Sequence, residues 1–389
     1  MARNATGLRR RPEATRTTHL ELLFDVVFVL ALMQLAFVLA DLSWSGIVRA
    51  LILLFPLMEV WTVTAEQCNK FDPRLPQIRL LVLGNLLGTL LMAAAVPQAF
   101  GARGLYFAVA NVAVQLGAAG VLLYLLRGDE LQRVELRRAF WFSVAAVPWI
   151  VGALTEGWTR VVLWALAVAV TLASNVLGLP TPGLGRARAG EFAFSAAHLA
   201  DRCRQFFTIA LGELMLVTGL TLDHAGFEIA PLAAALAAFI TTALLWRIYY
   251  NSAGELEADA IAAVAAPKAG RPVVFSHPVL VAGILAISVS YKLVIAHPLG
   301  HTPPAWIAFI VGGPALFLAG RAMLEYAVFR RVSGDRWLAI LVLAGISPAL
   351  ILTPPLLAAF AATLALAAVA TIDSVHSQRP PLRPAAASK

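Results

Sequence analysis

Charged residues are scarce in this chain: Asp, Glu, Lys and Arg make up only 13% of its 389 residues, against about 25% in typical soluble domains. Apolar residues make up 60%, and the mean hydropathy is +0.80. A chain with so little charge cannot cover its surface with groups that water solvates. The composition excludes an ordinary soluble domain and predicts an all-α, polytopic integral membrane protein.

Cysteine and the common catalytic motifs are also scarce or missing. The two cysteines, Cys68 and Cys203, form no Cys-x-x-Cys pair and fall near predicted cytoplasmic helix ends, so no disulfide framework is expected. The seven histidines show no HExxH spacing, and GxxxxGK[ST], GxGxxG and GxSxG motifs are missing. We therefore expect no metal, no cofactor and no catalytic residues.

The positive charge is spread along the chain. The net charge of +8 comes from Lys and Arg in short segments between apolar runs, without a basic stripe or domain, so nucleic acid is not an expected partner. Five Arg precede the first run, and every second loop holds three or four basic residues. The positive-inside rule then predicts a plasma-membrane protein with both termini in the cytoplasm.

The apolar runs predict about twelve transmembrane helices. The first begins at His19 and is too long and too acidic for a cleavable signal. The last apolar stretch, 336–372, is divided into two spans by Pro354 and Pro355. Lengths suited to a bilayer place the others near 45–66, 78–98, 104–126, 137–153, 160–179, 203–222, 228–250, 274–296 and 304–326.

An internal match suggests two six-helix halves in parallel orientation. HLELLFDVVFVLALMQ (19–34) aligns at an offset of 179 with HLADRCRQFFTIALGE (198–213), with five identities in sixteen positions. Chance similarity between helices rich in Leu and Ala is the alternative. The predicted divisions are a cytoplasmic tail (1–18), a first half (19–180), a cytoplasmic loop and helix start (181–202), a second half (203–372) and a cytoplasmic tail (373–389).

Acidic residues inside the first apolar helix give the strongest functional signal. Glu21 and Asp25 are four residues apart and share one helical face. Asp25 lies about two turns inside the apolar run, where a carboxylate that faces lipid costs about 3 kcal/mol. Asp25 should therefore face a protein interior, a partner or water.

The seventh predicted helix has its own polar face, which carries His198, Arg202 and Glu213. Arg202 and Glu213 are too far apart along the helix to pair. We expect Arg202 to pair with Asp25, and Glu213 to find water, a histidine or Lys292. Buried ion pairs that only lock helices together are the structural alternative.

Other polar and small residues in the spans have more ordinary interpretations. Glu59, beside Trp61 on the second helix, is expected to face the same interior as Asp25, and Arg321 is expected to pair with Glu325 one turn away. Interhelical hydrogen bonds are expected from Asn85, Asn111, Gln115 and Asn175. A small-xxx-small step that permits close helix packing within the chain is formed by Gly84 and Gly88.

Two motifs resemble those of a known family. ELLFDVVFVLAL is similar to the ELFFDLVFVFA-type signature of the low temperature requirement protein A (LtrA) family, and HLADRCRQFFTIALGE resembles its HxxERFGLFTIIxLGE signature. NKFDPR and FSHPVLVAGI resemble two further family segments, although Pro73 interrupts the first. The motif positions matched here are Glu21, Phe24, Asp25, His198, Phe207, Gly212 and Glu213. The resemblance implies a multi-pass bacterial membrane protein linked to growth in the cold, without a known substrate.

The first functional hypothesis is a transport protein whose first and seventh helices line a pathway. Asp25 and Glu213 would hold a proton, a cation or a cationic group of a solute, and Glu21 and Glu59 would shape its cytoplasmic mouth. Membrane lipids, a small ion or solute and a second copy of the chain are the expected partners.

Two alternatives stay open at this level. FDVVFVLAL is similar to the first-helix signature of a potassium-channel family built from two six-helix halves, which suggests a channel with a hydrophobic constriction at Phe28 and Leu32. A membrane-embedded lipid-modifying enzyme or a sensor of membrane state is the other alternative.

Overall fold

A computed structural model describes residues 5–10, 16–39, 42–187, 195–251, 270–329 and 331–377. In these ranges the regular structure is helical, with two isolated β-bridges and no strand. The predicted all-α class is therefore confirmed. Parts of the predicted tails and of the 181–202 loop, namely 1–4, 11–15, 188–194 and 378–389, lie outside the described residues.

The long helices follow the apolar runs closely. We number them α1 His19–Leu39, α2 Trp44–Lys70, α3 Pro76–Ala95, α4 Gly104–Leu125, α5 Leu131–Ala153, α6 Gly157–Val176, α7 Ala196–Ala225, α8 Ile229–Asn251, α9 Gly270–Ala296, α10 Pro304–Ile310, α11 Gly312–Phe329, α12 Gly334–Leu350 and α13 Pro355–Ser377. Short 3-10 turns lie at Ala5–Leu8 and Val96–Gln98.

Ten segments of the described chain are long and apolar enough to cross a membrane, counting α10 and α11 as one. The two further predicted spans coincide with α5, whose first turns carry several charges, and with α12, which has 17 residues. The break predicted at Pro354 and Pro355 is present, because α12 ends at Leu350 and α13 begins at Pro355. The chain is thus a polytopic helical membrane protein.

The start of α7, at Ala196, lies within the segment 181–202, where the sequence analysis placed a loop and the start of the seventh helix. The apolar span was expected only from about residue 203, because His198 and Arg202 in the first two turns are polar. These side chains are buried in the fold and are held there by partners.

The outer surface is apolar. Large side chains such as Leu80, Leu341 and Leu364 are about 70% exposed, at 69%, 68% and 71%. In water such a surface would aggregate, whereas lipid chains solvate it. The apolar exterior and the buried polar groups described below are the arrangement that a bilayer requires.

The chain divides into two compact units, Met1–Gln205 and Phe206–Lys389. In the first unit α1 packs on α3, α3 on α4, α4 on α5 and α5 on α6, while α2 contacts α1, α3, α4 and α6. α2 starts at a capped end, since Ser43 Oγ accepts a hydrogen bond from Gly46 N at 2.9 Å.

In the second unit α9 is the central helix and packs against α8, α10, α11 and α13. Glycines bring α9 and α11 close together: a Cβ atom on Gly283 would lie 2.5 Å from the backbone nitrogen of Phe317. A hydroxyl cluster joins three helices, because Tyr291 Oη lies 2.8 Å from Thr241 Oγ1 and 2.9 Å from Thr363 Oγ1.

Candidate functional site

The first unit holds a buried ion pair between Asp25 of α1 and Arg202 at the start of α7. The guanidinium of Arg202 donates two hydrogen bonds to the carboxylate of Asp25, from Nη1 to Oδ2 at 2.7 Å and from Nη2 to Oδ1 at 2.6 Å. Trp61 Nε1 of α2 donates to Oδ1 at 2.9 Å. All three side chains are at most 2% exposed. The pairing expected from the sequence is present, with the bidentate geometry that makes Arg–carboxylate contacts strong.

Glu21, one turn before Asp25, helps to cap the N-terminus of α1. Its Oε2 accepts hydrogen bonds from Thr18 N at 2.7 Å and Thr18 Oγ1 at 2.8 Å, while Glu21 N donates to Thr18 Oγ1 at 3.4 Å. This reciprocal arrangement is a capping box. The Thr-x-x-Glu pattern is visible in the sequence, and it gives Glu21 a structural role that the sequence analysis missed.

The other oxygen of Glu21 binds a histidine. His198 Nε2 lies 2.8 Å from Glu21 Oε1, and both side chains are fully buried. The same Nε2 lies 2.9 Å from Arg10 Nη1, and His198 Nδ1 has no hydrogen-bond partner among the described residues. α1 and the start of α7 are therefore joined twice, through Glu21 with His198 and through Asp25 with Arg202.

The N-terminal segment covers this cluster. Arg10 Nη1 donates to the carbonyl of Cys68 at 2.8 Å and lies 3.4 Å from Glu21 Oε2. The backbone of the same segment bonds the end of α2, from Arg10 N to Lys70 O at 3.0 Å. With Arg10 and Arg202 against Glu21 and Asp25, the cluster has two positive and two negative side chains, so its charges compensate each other.

Glu59 does not join this cluster, contrary to the expectation that it faces the same interior as Asp25. Its oxygens accept from Gln115 Nε2 of α4 at 3.3 Å and Asn175 Nδ2 of α6 at 3.4 Å. Glu59 and Trp61 are two residues apart on α2, and such residues point to different sides of a helix. The amides of Gln115 and Asn175 do bond between helices, as expected.

In the second unit, Glu213 is fully buried in α7. Its Oε1 accepts a hydrogen bond from Ser288 Oγ of α9 at 3.0 Å, and its Oε2 has no hydrogen-bond partner in the described part of the chain. The hydroxyl of Ser288 was not among the partners expected from the sequence. A carboxylate with one neutral donor is poorly stabilised in an apolar surrounding.

Phe28 and Leu32, the predicted constriction, lie one turn apart on α1 and are 0% and 1% exposed. Phe24 packs edge-on against Phe28, with ring centroids 5.4 Å apart. Their role in a channel stays a prediction.

Two ion clusters were not expected. Arg138 of α5 bonds Glu66 of α2 and, at 3.3 Å, Glu135. In a sequence, charged residues near the end of a span are interpreted as topological signals, so the burial of Arg138 and its partners was not predicted.

Among the described residues, no group of three or more His, Cys, Asp and Glu is arranged to hold a metal ion.

The second unexpected cluster adds partners from other helices to a predicted pair. Glu325 forms an ion pair with Arg336 of α12, which also lies 3.3 Å from Asp373 of α13. The positive charge of Arg321, the partner predicted one turn away, also acts on Glu325. The spacing of residues along one helix cannot predict partners that lie on other helices.

Fold and site together define a polytopic α-helical membrane protein whose transmembrane helices carry buried acidic side chains, some paired with arginine and some not. The model of one family, the bacterial low temperature requirement A protein (LtrA), matches residues 16–371, nearly the whole chain. The chain belongs to the LtrA family, as the two signature-like motifs in its sequence indicated.

A relative in Rhizobium meliloti (strain 1021), described as an uncharacterized protein, is 32% identical over 333 residues. The alignment covers 84% of this chain and 81% of the relative. No solved structure gives a significant match. The comparisons therefore establish the family, and they name no substrate.

Proposed function

We propose that this LtrA-family protein is a plasma-membrane transporter, with both termini in the cytoplasm, that moves a proton or a small cation. The observation that carries the proposal is Glu213, a fully buried carboxyl group within a membrane-spanning helix whose Oε2 has no hydrogen-bond partner in the described residues. Acids of this kind in membrane helices mark ion and proton pathways.

The surroundings of Glu213 suit reversible binding. An ionised carboxylate there is opposed by desolvation and has one neutral hydroxyl donor, at 3.0 Å. A proton or a cation bound to the free Oε2 would neutralise the buried negative charge. Glu213 is thus suited to bind an ion and release it again, whereas a fixed arginine would neutralise the carboxylate permanently.

Asp25 has the opposite character. Arg202 already supplies a cation to its two oxygens, so a transported cation would have to displace a bidentate guanidinium. The proposal therefore gives the ion-carrying role to Glu213 and a positioning role to the cluster of Asp25, Arg202, Glu21 and His198, which joins α1 to the start of α7.

Flux into proteoliposomes tests the proposal. Purified wild type is compared with Glu213→Gln for protons, Li⁺, Na⁺, K⁺ and Rb⁺, with Glu228→Gln as the matched control, because Glu228 is an exposed acid before α8. We expect flux in the wild type and the control, and at least a tenfold loss in Glu213→Gln.

Wild-type flux that persists in Glu213→Gln would remove Glu213 from the pathway. Flux without any gradient of a second solute would indicate a channel rather than a coupled carrier. A folded wild type that moves none of these ions would overturn ion transport, and altered lipid composition in a deletion strain would then support the enzyme or sensor alternative.

A further inference from the structure

Glu59 is the centre of a second polar network, inside the first unit. It lies in the middle of the 27-residue helix α2 and is 8% exposed. Each carboxyl oxygen accepts one hydrogen bond from a carboxamide, Oε2 from Gln115 and Oε1 from Asn175. Gln115 Nε2 also donates to Asn111 Oδ1 at 2.9 Å. Three helices, α2, α4 and α6, thus contribute one acid and three amides.

This network contains no cation. Among the described residues Glu59 forms no salt bridge, and the buried guanidinium of the neighbouring α5, Arg138, is already shared by Glu66 and Glu135. That cluster has two carboxylates for one guanidinium. Arg138 acts on Glu59 through space, but it forms no salt bridge with Glu59, and its single positive charge is shared by these two carboxylates.

Other charged groups on the helices that pack against α2 are also engaged. Asp25 of α1 holds Arg202. Arg160, at the start of α6, donates to backbone carbonyls that include Gly101 O in the loop before α4, at 2.7 Å, whereas Asn175 is near the end of α6. On α3 and α4, the buried polar side chains near α2 are neutral: Asn85, Thr89, Asn111 and Gln115.

The network is also incomplete. Asn111 is fully buried, and its Nδ2 has no hydrogen-bond partner in the described part of the chain. Two neutral donors do not replace the hydration of an ionised carboxylate in an apolar interior. A proton on Glu59 would neutralise the charge, and its O–H could donate to a carboxamide oxygen, since a rotated amide presents an acceptor in place of a donor.

We propose that Glu59, with Gln115 and Asn175, is an exchangeable proton-binding site in the first unit and holds the proton at neutral pH. As the site of a transported or coupled proton it rests on the proposed function, but its protonation is measured without any flux. The class of ligand is the proton, and a bound Na⁺ is the competing outcome.

Infrared spectroscopy of the full-length protein in lipid nanodiscs tests this site, because the C=O stretch of a protonated carboxyl group is separate from the bands of ionised carboxylates. Wild type is compared with Glu59→Gln and with Glu66→Gln. Glu66 is the matched control: it is the same residue type on the same helix, and Arg138 keeps Glu135 when Glu66 is changed.

We expect Glu59→Gln to lose one carboxylic-acid band at pH 7 and Glu66→Gln to keep it. Gln115→Met should keep the band but move it to higher frequency, because the carboxyl group loses a hydrogen bond. This variant provides the test if Glu59→Gln does not fold.

Unchanged carboxylic-acid bands in both Glu59→Gln and Gln115→Met would overturn the assignment. So would an ionised-carboxylate band of Glu59 together with thermal stabilisation of the wild type by Na⁺, absent with choline. A band lost in Glu59→Gln from a protein without flux would instead overturn transport alone, and flux without the band would overturn only the proton site.

Discussion

At the residue scale, the buried acids divide into two kinds. Glu21 and Asp25 form ion pairs with basic side chains and accept hydrogen bonds from backbone or indole N–H groups. In the described residues, the hydrogen bonds to Glu59 and Glu213 come from neutral groups. A basic partner favours the ionised form of an acid and occupies its oxygens. An acid without a cation can bind and release one, which is the property that transport needs.

Asp25→Asn should destabilise the protein by about 3 to 5 kcal/mol, because it leaves the buried charge of Arg202 without its counterion. Thermal or denaturant unfolding in detergent micelles measures this loss. The double variant Asp25→Asn, Arg202→Gln should lose clearly less than the sum of the two single variants. Additive losses would show that the two side chains are not coupled.

At the element scale, small residues set how closely neighbouring helices approach. Gly88 of α3 faces α4, where a Cβ atom at position 88 would lie 2.0 Å from Val114 Cγ2. Gly84, one turn earlier, has nothing within 4 Å of the same position. The small-xxx-small step predicted from the sequence is thus used within the chain, at one of its two glycines.

Gly88→Ala should destabilise the first unit by about 1 to 3 kcal/mol, since the added methyl group overlaps Val114, whose β-branched side chain has few rotamers available in a helix. Gly84→Ala is the matched control and should be neutral or slightly stabilising. Unfolding in micelles measures both. Rescue of Gly88→Ala by Val114→Ala would identify the contact, and equal losses in the two alanine variants would contradict it.

At the scale of the whole molecule, the apolar exterior and the alternation of basic loops predict how the chain crosses the bilayer. The structure shows apolar helices with exposed Leu side chains that can face lipid. The positive-inside rule predicts on which side of the membrane each loop lies. The predicted cytoplasmic termini, with every helix from α1 to α7 crossing the membrane, place the loop between α4 and α5 inside and the loop between α7 and α8 outside.

Cysteine labelling tests this topology. Glu130 and Glu228 are exposed acids in these two loops, and the native Cys68 and Cys203 are buried. We expect a membrane-impermeant maleimide to label Glu228→Cys in intact cells and Glu130→Cys only after permeabilisation. The reverse pattern would place both termini outside, and labelling of both in intact cells would mean that the helix count between them is wrong.

The sequence by itself determined the class of the protein, the positions of its helices and the likeness to the LtrA family, because each depends on local composition and on residues close together in the chain. It also indicated that Arg202 needs Asp25, since a buried guanidinium must find a carboxylate and few are available. The ion pair of Glu325 with Arg336 was missed, because Arg336 lies on another helix.

Only the tertiary structure decided which buried acids are neutralised. Glu21, Asp25, Glu59 and Glu213 look alike in the sequence as carboxylates in apolar helices. Their chemistry depends on whether a guanidinium, an amide or a hydroxyl from another helix reaches them, and that contact is set by helix packing. The physical reason is that the cost of a buried charge is determined by the groups within a few ångströms in space, wherever they lie in the chain.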